Sequence, residues 1–450
     1  MPSSAYDSSI FRDFFGTPAM RAVFSDERLA ERYVEVEVAL ARAEAKVGVV
    51  PAGAAEAIAK RAEGLELDLA ALKAETDIVG YPIVGVVHQL AKGVGDAGGY
   101  VHWGATTQDI MDTATVLQVR DALVLVEADL VSLDATLAAL AAKYRDTVMA
   151  GRTHLQHALP VTFGFKAAVW LSMIRRHRER LEQLKPRVLV AQFSGAAGTL
   201  ASLGDKGLEV QAALADELGL VQPDITWHVA RDGIAEAGAF LGLVTGSLSK
   251  IAVDVMLMMQ TEVGEVFEPF VKGRGASSTM PQKRNPISCE MIVALAKTVR
   301  AQVGLLLDSM ATDHERATGP WHLEWIALPE AFLATAGALH QARFMLEGLI
   351  VAPEAMRRNL DITGGLIVAE AVMMALAPHT GRGEAHDLVY VACRSALEQG
   401  TPLIDQLRKM PEVTRHFDEA GLQRLVDPAG YLGTAREMVD RLLLAKPQRR

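Results

Sequence analysis

From Ala105 to Ala150 the chain contains neither Gly nor Pro, and apolar residues return at three- and four-residue spacing through Val116, Val119, Leu123, Val126, Leu130, Leu133 and Leu137. That period places them on one stripe of an α-helix, and without a breaker the helix runs on. Comparable runs extend from about Thr162 to Leu184, Arg231 to Glu265, Ser288 to Ala311 and Pro329 to Leu349. At about 1.5 Å per residue such helices exceed roughly 30 Å. Long rods bury seams of small apolar residues most readily against other rods, so the expectation is an all-α bundle inside an oligomer.

The chain is long enough, at 450 residues, for several domains. The first hundred residues hold shorter amphipathic runs, Asp26 to Val47 and Pro51 to Ala62, broken by Gly48, Pro51, Gly80, Pro82 and a Gly-rich stretch from Gly93 to Gly99. After Pro353 the runs shorten again. The expected division is an N-terminal helical domain over 1–110, a central long-helix bundle over 111–350 and a C-terminal helical domain over 351–450. Half the residues are hydrophobic but only 6% are aromatic, so Ala, Leu and Val supply the core, which suits helix packing.

A net charge of −10 argues against a nucleic-acid partner, which would require a basic face. Any anionic ligand must meet cations gathered locally. Cys289 and Cys393 are too few for a disulfide framework and lack metal-ligand spacing, which fits reduced thiols in the cytoplasm. The start carries Asp7, Arg12 and Asp13 where an export signal would place a basic and then an apolar run. The longest uncharged stretch, Arg187 to Asp205, is rich in Gly and hydroxyls, and no membrane span is expected.

Three polar segments interrupt the helices. The first, His102-Trp103-Gly104-Ala105-Thr106-Thr107-Gln108-Asp109, precedes the longest run. Its hydroxyls fit either a helix cap or a helix-start site for a carboxylate. The second is Gly151-Arg152-Thr153-His154-Leu155-Gln156-His157-Ala158. The His154/His157 spacing finds no third ligand nearby, so a histidine moving a proton is the more natural reading than a metal. The third, Lys272 to Pro286, sets Gly, Ser277, Ser278 and Thr279 among Lys272, Arg274, Lys283 and Arg284. Such a loop is either a solvated surface or a lid over an anion. It lacks the Gly-Lys-Ser/Thr order of a phosphate loop and the Gly-x-Ser-x-Gly order of a nucleophile elbow.

Together the segments resemble the fumarase/aspartase superfamily, whose members carry a Thr/Ser-rich segment, a Gly-Arg-Thr-His segment and a Gly-Ser-Ser-x-Met-Pro-x-Lys-x-Asn loop in this order. The resemblance covers nearly the whole chain. It implies an all-α fold of three domains around a five-helix bundle, a homotetramer with a twenty-helix core, and active sites each assembled from three subunits. No cofactor or metal is expected to take part. Carried onto this chain, Ser277 corresponds to the base that removes a proton beside a carboxylate, while Lys283 and Asn285 correspond to the groups that hold the resulting enediolate. His154 matches the histidine that assists the leaving group. His102, Thr106, Thr107, Thr153, Gln156, Ser278, Met280 and Arg316 match substrate-side positions, for a small di- or tricarboxylate. Ala276 departs from the loop's usual Gly, and Thr107 stands where Ser is common.

Wording such as Gln108-Asp109-Ile110-Met111-Asp112-Thr113, Trp227-His228 and Trp321-His322-Leu323-Glu324-Trp325 is most similar to the 3-carboxy-cis,cis-muconate cycloisomerase branch. Yet His154 and Glu290 are both kept, as in the fumarate-releasing lyases, where a carboxylate raises the basicity of the histidine for an amine or hydroxyl leaving group. The expectation is therefore β-elimination from an N- or O-substituted succinate with release of fumarate, the cycloisomerase being the alternative. Adenylosuccinate lyase and argininosuccinate lyase fit less well, and a non-catalytic, crystallin-like role is the reading of another class. Met256, Met258 and Met259 read as core packing, Arg175, Arg176, Arg178 and Arg180 as a solvated helix face, and Cys289 as helix packing.

Overall fold

A computed structural model describes residues 4–316 and 318–445. The fold is all-α. The elements that matter below are α1 (Asp26–Val47), α2 (Thr107–Lys143), β1 (Val148–Thr153), β2 (Gln156–Thr162), α3 (Phe163–Val188), α4 (Asp232–Met259), α5 (Ile287–Asp308) and α6 (Gly319–Glu347). The chain forms two compact units, one of residues 1–130, 177–249 and 291–341, the other of 131–176, 250–290 and 342–450. Each change of unit falls inside one of the five long helices α2 to α6.

The stripe that defines α2 is buried: Val116, Val119, Leu123, Val126, Leu130, Leu133 and Leu137 are all at or below 1% exposure. In the first unit, Gly238 and Gly242 of α4, one helical turn apart, face Leu306 and Val303 of α5. A Cβ on Gly238 would lie 2.3 Å from a Leu306 methyl, so only glycine admits that approach. Met258 is buried, as expected for a gap-filling core residue. Helix α1 begins at Ser25, whose hydroxyl accepts from Arg28 N–H, and ends at Gly48 with φ of +77°. It packs its apolar face into the N-terminal core beside Leu72, Ile83 and Leu90.

Three expectations differ from the structure. Helix α6 begins ten residues before Pro329, at Gly319, and carries the proline inside. The segment around Gly151 is an antiparallel hairpin of β1 and β2, with Thr153 opposite Gln156. Arg175 is not solvated: it pairs with Asp134 and donates to the carbonyl of Leu442.

Among the described residues one helix, α4, is long and apolar enough to cross a membrane by length and composition, and less than half of its most apolar stretch is buried. Leu243, Val253 and Leu257 lie exposed along it.

Candidate active site

In the first unit the site is organised around Asp109, whose side chain is fully buried three residues into the start of α2. Its carboxylate accepts from Thr106 N–H (2.9 Å), Ser194 N–H (2.9 Å), Gly195 N–H (2.9 Å) and His228 Nε2–H (2.7 Å). The donors come from three separate stretches of chain, so one side chain ties the 102–107 segment to the 192–198 loop and to His228. Around it, Gln108 donates to the carbonyl of His228, and Thr113 exchanges two hydrogen bonds with the backbone of Gln192. Arg231 lies between Asp112 and Glu324, all three buried, and Trp321 donates to Asp112 at 3.1 Å. The polar wording of the Gln108 to Thr113 stretch is thus largely scaffold.

That scaffold presents His102, Thr106, Thr107 and Arg316. The Arg316 guanidinium meets the hydroxyl of Thr106 and donates to the carbonyl of Ala196 (3.3 Å), so the structure joins two expected substrate-side residues that are 210 positions apart. Thr107 is half-buried as the first residue of α2. His102 occupies a left-handed backbone position, φ +63°, and its Nδ1 lies 2.7 Å from Glu37, a residue at 1% exposure. Burial pulls the imidazole down, but the hydrogen bond and charge of Glu37, with Asp109 behind it, outweigh that and raise it overall.

In the second unit, Thr153, His154, Leu155 and Gln156 form the exposed tip of the β1–β2 hairpin. Both turn residues are left-handed, His154 at φ +50° and Leu155 at φ +65°. A two-residue turn of this kind normally takes Asn and Gly, because a side chain there crowds its own carbonyl. Behind the tip, Arg152 makes a two-pronged pair with buried Glu265, to which Asn359 also donates. Burial, with Arg152 adding to it, lowers His157.

The loop before α5 is closed on itself. Ala276 bridges Arg284, Asn285 N–H donates to the carbonyl of Gly275, and a Cβ on Gly275 (φ +67°) would sit 2.5 Å from Asn285 O. Within it the Ser277 hydroxyl oxygen accepts from Met280 N–H (3.0 Å) and Thr279 N–H (3.3 Å). Ser278, Met280 and Lys283 are exposed, Ser277 and Asn285 half-buried. Part of the loop's positive charge is engaged within the fold. Arg274 lies over the Phe344 ring at 4.1 Å and donates to Ser288, while Arg284 lies over Phe270 at 5.1 Å and donates to the carbonyl of Glu268. Lys272 and Lys283 form no ion pair among the described residues. Glu268 in turn accepts from Ser288 and Cys289 N–H, capping α5 and setting Glu290 in its exposed first turn. Cys289 is fully buried against Met345, and burial beside Glu268 pushes its thiol up, out of the reactive range.

No hydrogen bond or ion pair joins His154 to Glu290 among the described residues, and no group of three or more His, Cys, Asp or Glu there is placed to hold a metal ion. Sequence reasoning did not find Glu37, His228, the 192–198 loop or the anchoring role of Asp109. Only the Gln108 to Thr113 and Trp227-His228 wording signalled any of them.

A family profile described as "Lyase" matches residues 15–301, and one described as "Adenylosuccinate lyase C-terminus" matches residues 365–442. The crystal structure of a fumarate lyase from Mesorhizobium sp. BNC1 superposes with a TM-score of 0.91 at 56% identity, covering 96% of this chain and 99% of that one. The 3-carboxy-cis,cis-muconate cycloisomerase of Pseudomonas aeruginosa is 50% identical over 97% of this chain and 96% of its own length. Trans-aconitate decarboxylase 1 of Mycosarcoma maydis is 48% identical over 98% of this chain and 90% of its own. The chain belongs to the fumarase/aspartase superfamily and is an enzyme of that lyase lineage.

Proposed function

We propose that the enzyme catalyses β-elimination from an N- or O-substituted succinate with release of fumarate. The observation that carries this reading is the Ser277 oxygen receiving two backbone N–H bonds, from Thr279 and Met280, which stabilise its alkoxide. The alkoxide takes the proton from the carbon beside a carboxylate. Lys283 and Asn285 hold the enediolate that forms, since charge developing on a weakly acidic carbon requires a positive site fixed in advance. The bond to nitrogen or oxygen then breaks, its electron pair leaves with the departing group, and His154 delivers a proton to that group. Thr106, Thr107, Thr153, Gln156, Ser278, Met280, His102 and Arg316 bind the carboxylates and the remainder of the substrate.

His154 and Glu290 pair across subunits in this proposal, because each stands exposed on its own chain. The same logic supports a homotetramer with each site drawn from three subunits, since the hairpin tip and the loop carry the reactive groups outward, while the free thiols of Cys289 and Cys393 support a cytoplasmic setting. The cycloisomerase reading stands second, on the 50% identity to the Pseudomonas aeruginosa enzyme. Its carboxylate leaving group needs less proton assistance, so Glu290→Ala should slow an amine-releasing reaction about ten- to a hundredfold while slowing lactone chemistry far less.

The test is a panel of N-, O- and S-substituted succinates, adenylosuccinate and carboxymuconate followed by ultraviolet absorbance. Turnover of a substituted succinate to fumarate, lost in Ser277→Ala with assembly intact, is expected. Turnover of carboxymuconate alone would favour the second reading, and an active Ser277→Ala enzyme would overturn the assignment of the base.

A further inference from the structure

Helix α1 carries two buried glutamates, Glu37 and Glu44, seven residues apart and therefore on one face two turns from each other. Neither is accessible: Glu37 is 1% exposed and Glu44 not at all. One oxygen of Glu37 and both oxygens of Glu44 have no hydrogen-bond partner among the described residues. An amphipathic helix would ordinarily turn such residues to water, and burying two carboxylates together is costly unless something is gained.

The gain is at His102. The second oxygen of Glu37 lies 2.7 Å from Nδ1 of that ring, and a carboxylate can only accept, so Nδ1 is the donor. Nε2 has no hydrogen bond among the described residues, and the ring keeps 21% exposure. The backbone of His102 is left-handed, which a non-glycine residue holds only where surrounding contacts over-determine it. The ring is thus held from the Glu37 side, with Nε2 left for something outside the chain. Arg316, on Thr106 of the same segment, supplies a second cation facing the same part of the fold.

We infer that Glu37 is the positioning residue of His102, holding the ring by Nδ1 so that Nε2–H is presented as a donor to a carboxylate of the substrate. The inference rests on the reading that the 102–107 segment lines the substrate site. Glu44 completes the arrangement. Burial, with the charge of Glu37 adding to it, pushes Glu44 up to about 9, so at neutral pH it is a neutral acid and Glu37 faces the imidazole without a second buried charge beside it. The charged groups acting on His102 are Glu37 from α1 and Asp109 from the start of α2, both negative, and both favour the imidazolium. Asp109 is itself committed to three backbone amides and His228, which leaves Glu37 as the group that keeps the ring doubly protonated, with Nδ1–H on Glu37 and Nε2–H free to donate.

Calorimetric titration of the full-length, assembled protein with succinate, an inert dicarboxylate, from about pH 6 to about pH 8 tests this. Glu37→Gln should bind succinate about tenfold more weakly near the upper end and recover toward the lower end, where the ring protonates unaided. Glu37→Asp retracts the carboxylate by one methylene. It should lose less affinity with the same recovery, and it keeps the test open if the amide variant does not assemble. Glu44→Gln, equally buried but not touching the ring, should bind like the wild type. Equal weakening in Glu44→Gln, or Glu37 variants indistinguishable from wild type at every pH, would overturn the inference. The His102→Gln variant separates the two levels. If it binds succinate like the wild type, the substrate-site reading of the segment fails. If it binds weakly while both Glu37 variants do not, only the positioning role fails.

Discussion

Asp109 receives four hydrogen bonds where no water reaches, and none of its long-range donors is near it in sequence. Its removal would orphan three backbone amides and a buried imidazole. Asp109→Ala should therefore cost on the order of 3–5 kcal/mol, read as a lowered melting temperature, and a variant melting with the wild type would refute the anchoring role. Glu44 gives a prediction of the opposite sign. Its pKa is about 9 in the fold and near the ordinary carboxylate value once unfolded, so between those limits the native state holds a proton that the unfolded state releases. Stability from this group is complete in acid and is lost as pH rises toward 9. Glu44→Gln should flatten that decline and melt higher than wild type near about pH 8, whereas parallel melting curves across pH would contradict it. Neither residue is legible in sequence. Glu37 and Glu44 look like the solvated face of an amphipathic helix, and Asp109 looks like an ordinary cap, because partners 85 and 119 positions distant leave no local trace.

The long helices were legible because a 3.6-residue period repeated over many turns is a strong signal: all seven residues of the expected α2 stripe are core. Boundaries were weaker. Pro329 reads as a helix start, but packing carries α6 across it, so the Trp321 to Trp325 stretch belongs to the helix. The β1–β2 hairpin was missed because its turn lacks Asn or Gly, the residues that announce one. His154 and Leu155 hold left-handed positions that their side chains disfavour, and Leu155 is 81% exposed. Strain of that kind persists where a function requires the side chains. Leu155→Gly should relieve about 1 kcal/mol of it and raise the melting temperature of the protein slightly. A fall in melting temperature would mean that Leu155 is held by contacts worth more than the strain. The loop before α5 was read correctly as cationic, but two of its four cations are anchors on aromatic rings, which only the fold reveals.

At the scale of the whole molecule, the hairpin tip of the second unit is exposed, and among the described residues no hydrogen bond or ion pair joins His154 to a carboxylate. If each site draws Ser277 and His154 from different subunits, mixing inactive Ser277→Ala and His154→Ala proteins, dissociated and reassembled together, should restore activity to about a quarter of the sites. Mixtures that stay inactive would place both residues in one subunit's contribution. The half-buried, strongly apolar α4 bears on a different stage of the protein's life. Leu243, Val253 and Leu257 lie exposed along this helix, and an exposed apolar strip of that kind associates with other apolar surfaces, including other copies of the chain, until it is covered. Biogenesis is then a race set by concentration: too dilute, and chains wait unassembled; too crowded, and they aggregate, so the yield of active enzyme on refolding should pass through a maximum as protein concentration rises.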